Sequence, residues 1–177
     1  MVVTHGAVQS NHVRQTAAAA CRFGLGCHAL LEQRITDTKH EYENSGNVLL
    51  DRVFGATLEY RGGGLDMNAE AMAATEKLRS EGRKPYFIPG GGSNEIGALG
   101  YVVCADEAVS QSKSMGIEFD WMVTGTGSTG TQAGLLAGLG ILDAKLPVMG
   151  VSVRKPRDQQ IPAVHDLTQR VAKQFSD

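Results

Sequence analysis

The chain lacks the material for a disulfide framework. It has three cysteines, Cys21, Cys27 and Cys104, an odd number with no C-x-x-C pair, which argues against both a paired scaffold and a zinc knuckle. Cys21 and Cys104 sit in apolar runs (AAACRFG and YVVCADE), where a free thiol is expected to pack as a small hydrophobe in a reducing, cytoplasmic setting. Charge of one sign is missing too. Seventeen basic residues face 19 acidic ones for a net charge of -2, so composition gives no reason to expect nucleic acid or an anionic membrane as partner. No apolar run reaches membrane-spanning length, and no signal peptide is seen. His5, His28, His40 and His165 are scattered without metal-ligand spacing and are read as structural or solvated.

Glycine is plentiful, at 22 of 177 residues, and 42% of the chain is hydrophobic, enough for a core. Short apolar runs alternate with helical patterns. MVVTHGA, CHALLEQ, ATLEYRG, PYFIPGGGSN, FDWMVTGTGSTG and PVMGVSV read as strands. NHVRQTAAAACRF, NVLLDRVFG, LDMNAEAMAATEKLRSEG, EIGALGYVVCADEAVSQSKSMG, TQAGLLAGLGIL and DQQIPAVHDLTQRVAKQFSD read as helices. RITDTKHEYENSG reads as irregular, and Phe119 and Trp121 as core. This alternation predicts parallel strands with right-handed crossovers, an α/β fold built of parallel-sheet three-layer units. A boundary is expected near Gly90 to Asn94, where a glycine cluster precedes the longest helix.

The stretch TGTGSTGTQAG holds Gly125, Gly127 and Gly130 in the spacing G-x-G-x-x-G, with Thr126, Ser128, Thr129 and Thr131 among and after the glycines. At a strand-to-helix junction such a loop suits an anion. Backbone N–H groups point at the ligand, the helix dipole favours negative charge, and glycines admit close approach. A dinucleotide fingerprint needs an acid after the next strand, where this chain has Arg154, Lys155 and Pro156. That leaves an NADP-binding oxidoreductase domain as a rival reading, whereas the hydroxyl density favours a cup for one phosphate monoester. A second polar cluster, Gln9, Ser10, Asn11 and His12, opens the first helix. An N-cap accounts for one of these residues. Four together suit a carboxylate. The loop Gly90, Gly91, Gly92 and Ser93 also follows a strand, and it reads either as a plain turn or as a flap over the substrate. Loops at the carboxyl ends of parallel strands converge, so all three are expected to face one cleft.

HGAVQSNHVRQTAAAACRFGLGCHALLE, SGNVLLDRVFGA, RKPYFIPGGGSNEIGALGYV and TGTGSTGTQAG together resemble the pyridoxal-phosphate enzymes of the D-cysteine desulfhydrase, L-cysteate sulfo-lyase and 1-aminocyclopropane-1-carboxylate (ACC) deaminase group. The resemblance runs along the whole chain in the same order. It implies a tryptophan-synthase-β-like fold and a pyridoxal 5′-phosphate cofactor. Gly127, Ser128, Thr129, Gly130 and Thr131 would hold the cofactor phosphate. Gln9, Ser10, Asn11 and His12 would face the substrate carboxylate and the cofactor ring, with Ser10 acting on the substrate and Asn11 near the ring hydroxyl. The implied reaction is β-elimination on a small amino acid, releasing sulfide from D-cysteine or sulfite from L-cysteate. ACC deaminase is the alternative. His12 and PGGGSN resemble the first two more than the deaminase.

The resemblance also marks what is missing. The group's Schiff-base lysine lies in an Asn-Lys context upstream, and none of Lys39, Lys77, Lys84, Lys113, Lys145, Lys155 and Lys173 has it. Residues 1–93 are read as most of a smaller substrate-side domain and 94–177 as part of a larger phosphate-binding one. The expectation is a central fragment, incomplete at both ends, inactive alone and belonging to a homo-oligomer when whole. A non-catalytic remnant is the other rival.

Overall fold

A computed structural model describes residues 1–176. The chain divides into two compact units, residues 1–91 and 92–177, the division falling inside the glycine cluster.

The first unit is a four-stranded parallel sheet in the order β3-β2-β1-β4, made of β1 (Val2–Ala7), β2 (Cys27–Gln33), β3 (Thr57–Gly62) and β4 (Tyr86–Phe87). Its helices are α1 (Asn11–Arg22), α2 (His40–Asn44), α3 (Gly46–Val53) and α4 (Met67–Ser80). β2 explains the architecture best. Six of its seven residues are buried, as a parallel strand covered on both faces requires. Successive side chains alternate between faces. Ala29 and Leu31 therefore pack with Val8, Val13 and Val48 on the α1/α3 side, and Leu30 packs with Val3, Met67 and Ala71 on the α4 side. Leu30 and Leu31 are fully buried, each contributing about 1.5–3 kcal/mol of apolar burial.

The second unit has a parallel pair, β5 (Met122–Thr126) and β6 (Val148–Ser152), with α5 (Glu95–Met115), α6 (Gly130–Ile141) and α7 (Arg157–Ala172). The glycines of α6 serve helix packing. A Cβ on Gly134 would lie 2.4 Å from the Ala98 carbonyl oxygen, and one on Gly138 would lie 2.7 Å from the Ala105 Cβ. Two glycines four apart thus let α5 and α6 approach closely, and Ala98, Ala133 and Ala137 fill the seam with Leu167 and Val171.

Four sequence expectations need correction. Residues 40–44, read as irregular, form the short helix α2, and the strand read over PYFIPGGGSN is only Tyr86–Phe87. Phe119 and Trp121, just before β5, are 55% exposed rather than core, and β5 itself is no better covered, with Val123 exposed. Cys21 and Cys104 are exposed while Cys27 is buried. An apolar stretch on a helix covers both faces, so sequence neighbours did not report burial. Among the described residues, no helix is long and apolar enough to cross a membrane.

Candidate functional site

The first polar cluster sits where β1 hands over to α1. Ser10 is the helix N-cap, in extended conformation, and its Oγ accepts from the Val13 N–H at 3.3 Å. Gly6 makes this possible, because a Cβ there would lie 2.5 Å from Ser10 Oγ. Capping uses the hydroxyl as an acceptor and leaves its proton free to donate.

Gln9 is tied down by the chain around α2 and α3. Its Nε2 donates to the carbonyls of Tyr42 and Ser45, the latter at 3.1 Å, and its Oε1 accepts from the Asn47 N–H at 2.9 Å. Asn47 closes the network. Its Nδ2 donates to the Gln9 carbonyl and to Asn11 Oδ1, each at 2.9 Å. Because Asn11 Oδ1 takes that donor, the Asn11 amide has a fixed sense, with Nδ2 as its remaining donor group. Sequence reasoning missed Asn47. Its signal was the one amide residue in SGNVLLDR, which has no capping role.

His12 lies on the first turn of α1. Its Nε2 is 2.7 Å from Thr4 Oγ1, and Thr4, fully buried in β1, donates to the Ile88 carbonyl at 2.9 Å. Burial, with the neighbouring His5 as a second cause, holds the His12 imidazole down to about pKa 4, so it is neutral at pH 7. His5 itself hydrogen-bonds Asn68 Oδ1 at 2.8 Å and stacks on Phe87, and the missing Cβ of Gly90 leaves room for its ring.

The glycine loop belongs to the second unit and runs from the end of β5 into α6. Thr126, at the end of β5, is buried and accepts from Gln160 Nε2 at 2.8 Å. Thr129 precedes the helix with φ of 81°, a left-handed conformation rare for a threonine, and makes no side-chain cap. The first-turn N–H groups of a helix have no internal acceptor. Here the Gly130 N–H goes to Ser93 Oγ at 3.0 Å, while those of Thr131 and Gln132 lie in the uncapped turn. A Cβ on Gly130 would lie 2.8 Å from Ser93 Oγ. Strain, the absence of a side-chain cap from Thr129 and nearby hydroxyls at Ser128, Thr129 and Thr131 fit an anion.

The third loop has structural partners of its own. Gly91 and Gly92 take φ of 68° and 63°, Asn94 caps α5 by accepting from the Gly97 N–H at 2.8 Å, and Ser93 supports the Gly130 amide. Among the described residues, no group of three His, Cys, Asp or Glu is placed to hold a metal.

Comparison with known proteins identifies the family and the fold. The family model described as pyridoxal-phosphate dependent enzyme matches residues 1–174. The chain belongs to that family. It is 41% identical over 175 residues to the D-cysteine desulfhydrase of Serratia proteamaculans (strain 568), covering 99% of this chain and 53% of that protein. Among solved structures, an ACC deaminase homologue superposes with a TM-score of 0.84 at 36% identity, covering 97% of this chain and 50% of that one. The diaminopropionate ammonia lyase of Escherichia coli, at 16% identity and a TM-score of 0.61, shares the fold, with 94% of this chain and 44% of that one covered. The α/β fold is therefore that of these pyridoxal-phosphate enzymes, and the chain spans about half the length of the relatives it matches.

Proposed function

We propose that this chain carries the phosphate-holding and substrate-holding loops of a pyridoxal-phosphate lyase that performs β-elimination on a small amino acid, in the manner of a D-cysteine desulfhydrase. The single observation behind this is the junction of β5 and α6. Thr129 holds a strained backbone and provides no side-chain cap, and although Ser93 takes the Gly130 N–H, those of Thr131 and Gln132 are left for a bound anion to accept. The loop Gly127, Ser128, Thr129, Gly130 and Thr131 would hold the phosphate of pyridoxal 5′-phosphate. When bound, that cofactor supplies an electron sink for the charge left on the α-carbon.

The chain's own residues have distinct tasks in this reading. Ser10 offers its free hydroxyl proton to the substrate and is its candidate catalytic group. Asn11, oriented by Asn47, offers Nδ2 to the cofactor ring hydroxyl or to the substrate carboxylate. Gln9 is a positioning residue, because its amide is engaged with the segment 42–47. The domain roles follow: residues 1–93 serve the substrate and 94–177 the phosphate. D-cysteine is favoured as substrate by the 41% identity to a D-cysteine desulfhydrase, with L-cysteate and ACC as the competing substrates.

These 177 residues alone are proposed not to turn over. All seven lysines are exposed, and none follows an asparagine at a helix start as the group's cofactor-linking lysine does. The whole protein is proposed to be a homo-oligomeric cytoplasmic enzyme. The test assays the full-length protein with D-cysteine, L-cysteate and ACC in the presence of pyridoxal phosphate. Sulfide and pyruvate from D-cysteine support the reading. Reduction or oxidation of a nicotinamide cofactor, with none of the three substrates consumed, would sink it.

A further inference from the structure

The hydrogen bonds around Thr4 determine which nitrogen of His12 carries the proton. A threonine hydroxyl has one proton. The Ile88 carbonyl can only accept, so at 2.9 Å the Thr4 proton lies on that contact. Thr4 Oγ1 must then accept from His12, whose Nε2 stands 2.7 Å away. Both contacts are satisfied only when Nε2 bears the hydrogen. In a neutral ring Nδ1 is then a bare lone pair. Nδ1 has no hydrogen-bond partner among the described residues, and it is not one of the buried unpartnered atoms, unlike His5 Nδ1. It is therefore open for contact, one turn position from Asn11 and two from the cap residue Ser10.

A bare lone pair repels a carboxylate. His12 thus cannot share the task read for its neighbours.

We propose that Thr4 is a positioning residue that locks His12 as the Nε2–H tautomer, so that Nδ1 serves as a hydrogen-bond acceptor for an N–H or O–H donor on the substrate side, not as a carboxylate ligand. The substrate-side part rests on the function proposed above. The tautomer part rests on the geometry alone. The resulting division of labour is chemical: the hydroxyl of Ser10 and the amide of Asn11 donate, and His12 accepts. A small amino acid brings both kinds of group, a carboxylate that needs donors and an amine that needs an acceptor until it joins the cofactor aldehyde. Burial of the imidazole keeps this assignment intact at neutral pH.

The experiment is a two-bond ¹H–¹⁵N correlation spectrum of ¹⁵N-histidine-labelled protein at pH 7, with His12 assigned by its loss in His12→Gln. The wild type should show a protonated Nε2 and a bare Nδ1. Thr4→Val should mix or reverse the tautomers, and Thr4→Ser, which keeps the hydroxyl, should retain the wild-type pattern. A protonated Nδ1 in the wild type, or a wild-type pattern in Thr4→Val, overturns the proposal. If Thr4→Val fails to fold, the wild type and Thr4→Ser decide, and loss of the Nε2–H form in Thr4→Ser counts against it.

Adding pyridoxine 5′-phosphate, which has no aldehyde to consume an amine, and D-alanine, a small amino acid without a β leaving group, should move the Nδ1 resonance towards its hydrogen-bonded position while Nε2 stays. If calorimetry reports D-alanine binding and Nδ1 does not move, the substrate-side role is refuted. If the protein binds no pyridoxine 5′-phosphate yet shows the tautomer and its loss in Thr4→Val, the function reading fails and the positioning role of Thr4 stands.

Discussion

Replacing Gln9 by alanine tests whether this residue is a scaffold for the first loop. The side chain makes three hydrogen bonds, to the carbonyls of Tyr42 and Ser45 and from the Asn47 N–H. A typical bond contributes about 0.5–1.5 kcal/mol net, and the one to Ser45 is solvent-exposed and counts at the low end. The expected loss is therefore about 2–3 kcal/mol, read as a lower urea midpoint with an unchanged slope. Gln9→Glu should be at least as damaging. It keeps an acceptor for Asn47 but turns lone pairs towards two carbonyls. A loss under about 0.5 kcal/mol for the alanine variant, or wild-type stability in the glutamate variant, would refute the scaffold role.

Other outcomes follow from the same geometry. Gly138→Ala should destabilise by about 1–3 kcal/mol in chemical denaturation, since its Cβ would lie 2.7 Å from the Ala105 Cβ across the α5–α6 seam. Gly130→Ala, pressing on Ser93 Oγ at 2.8 Å, should weaken binding of pyridoxine 5′-phosphate at least about tenfold by calorimetry while leaving the melting temperature nearly unchanged. Asp51 is fully buried, its carboxylate oxygens have no hydrogen-bond partner, and burial raises its pKa from 3.8 to about 6 against the pull of Arg14. A raised carboxyl pKa means the folded state holds the proton longer, so this group's effect on stability worsens as pH rises from about 4 to 6, by on the order of 3 kcal/mol. His12 has the opposite sign, because its lowered pKa removes stability as pH falls below about 6.5 towards 4. Asp51→Asn should therefore stabilise at pH 7.5 relative to pH 4.5, measured as the difference from wild type at each pH, and an equal difference at both would contradict this.

How much of this was legible in the residues depends on range. β2 is read to the residue, Cys27–Gln33, because its apolar centre, Ala29 to Leu31, is bounded by Gly26 and polar residues. The helix α4 announces itself through Asp66 at its start and Gly82 past its end, whereas the caps of α5, Asn94 and Gly116, emerge from the structure. α2 was not legible, since five polar residues carry no periodicity and the helix has no buried residue. The site divides in the same way. Ser10 as cap and the glycine loop as anion seat are local patterns. The tie from Asn47 to Gln9 and Asn11 spans 38 and 36 residues, and the chain from His12 through Thr4 to Ile88 spans 84, so only the fold brings them together. Gly134 and Gly138 read as ordinary helix residues because their partner is another helix, invisible to a periodicity count.

The most direct test of the central claim is binding at the glycine loop. Pyridoxine 5′-phosphate carries the ring and phosphate but no aldehyde to react with exposed lysines, so it isolates the phosphate seat. The measurement is its titration into the protein, followed by calorimetry and by fluorescence of Trp121, the single tryptophan, which stands just before β5. The account predicts saturable binding that inorganic phosphate competes away, that pyridoxine without phosphate does not reproduce, and that Gly130→Ala weakens. Equal binding of pyridoxine and its phosphate, or full affinity in Gly130→Ala, would contradict it.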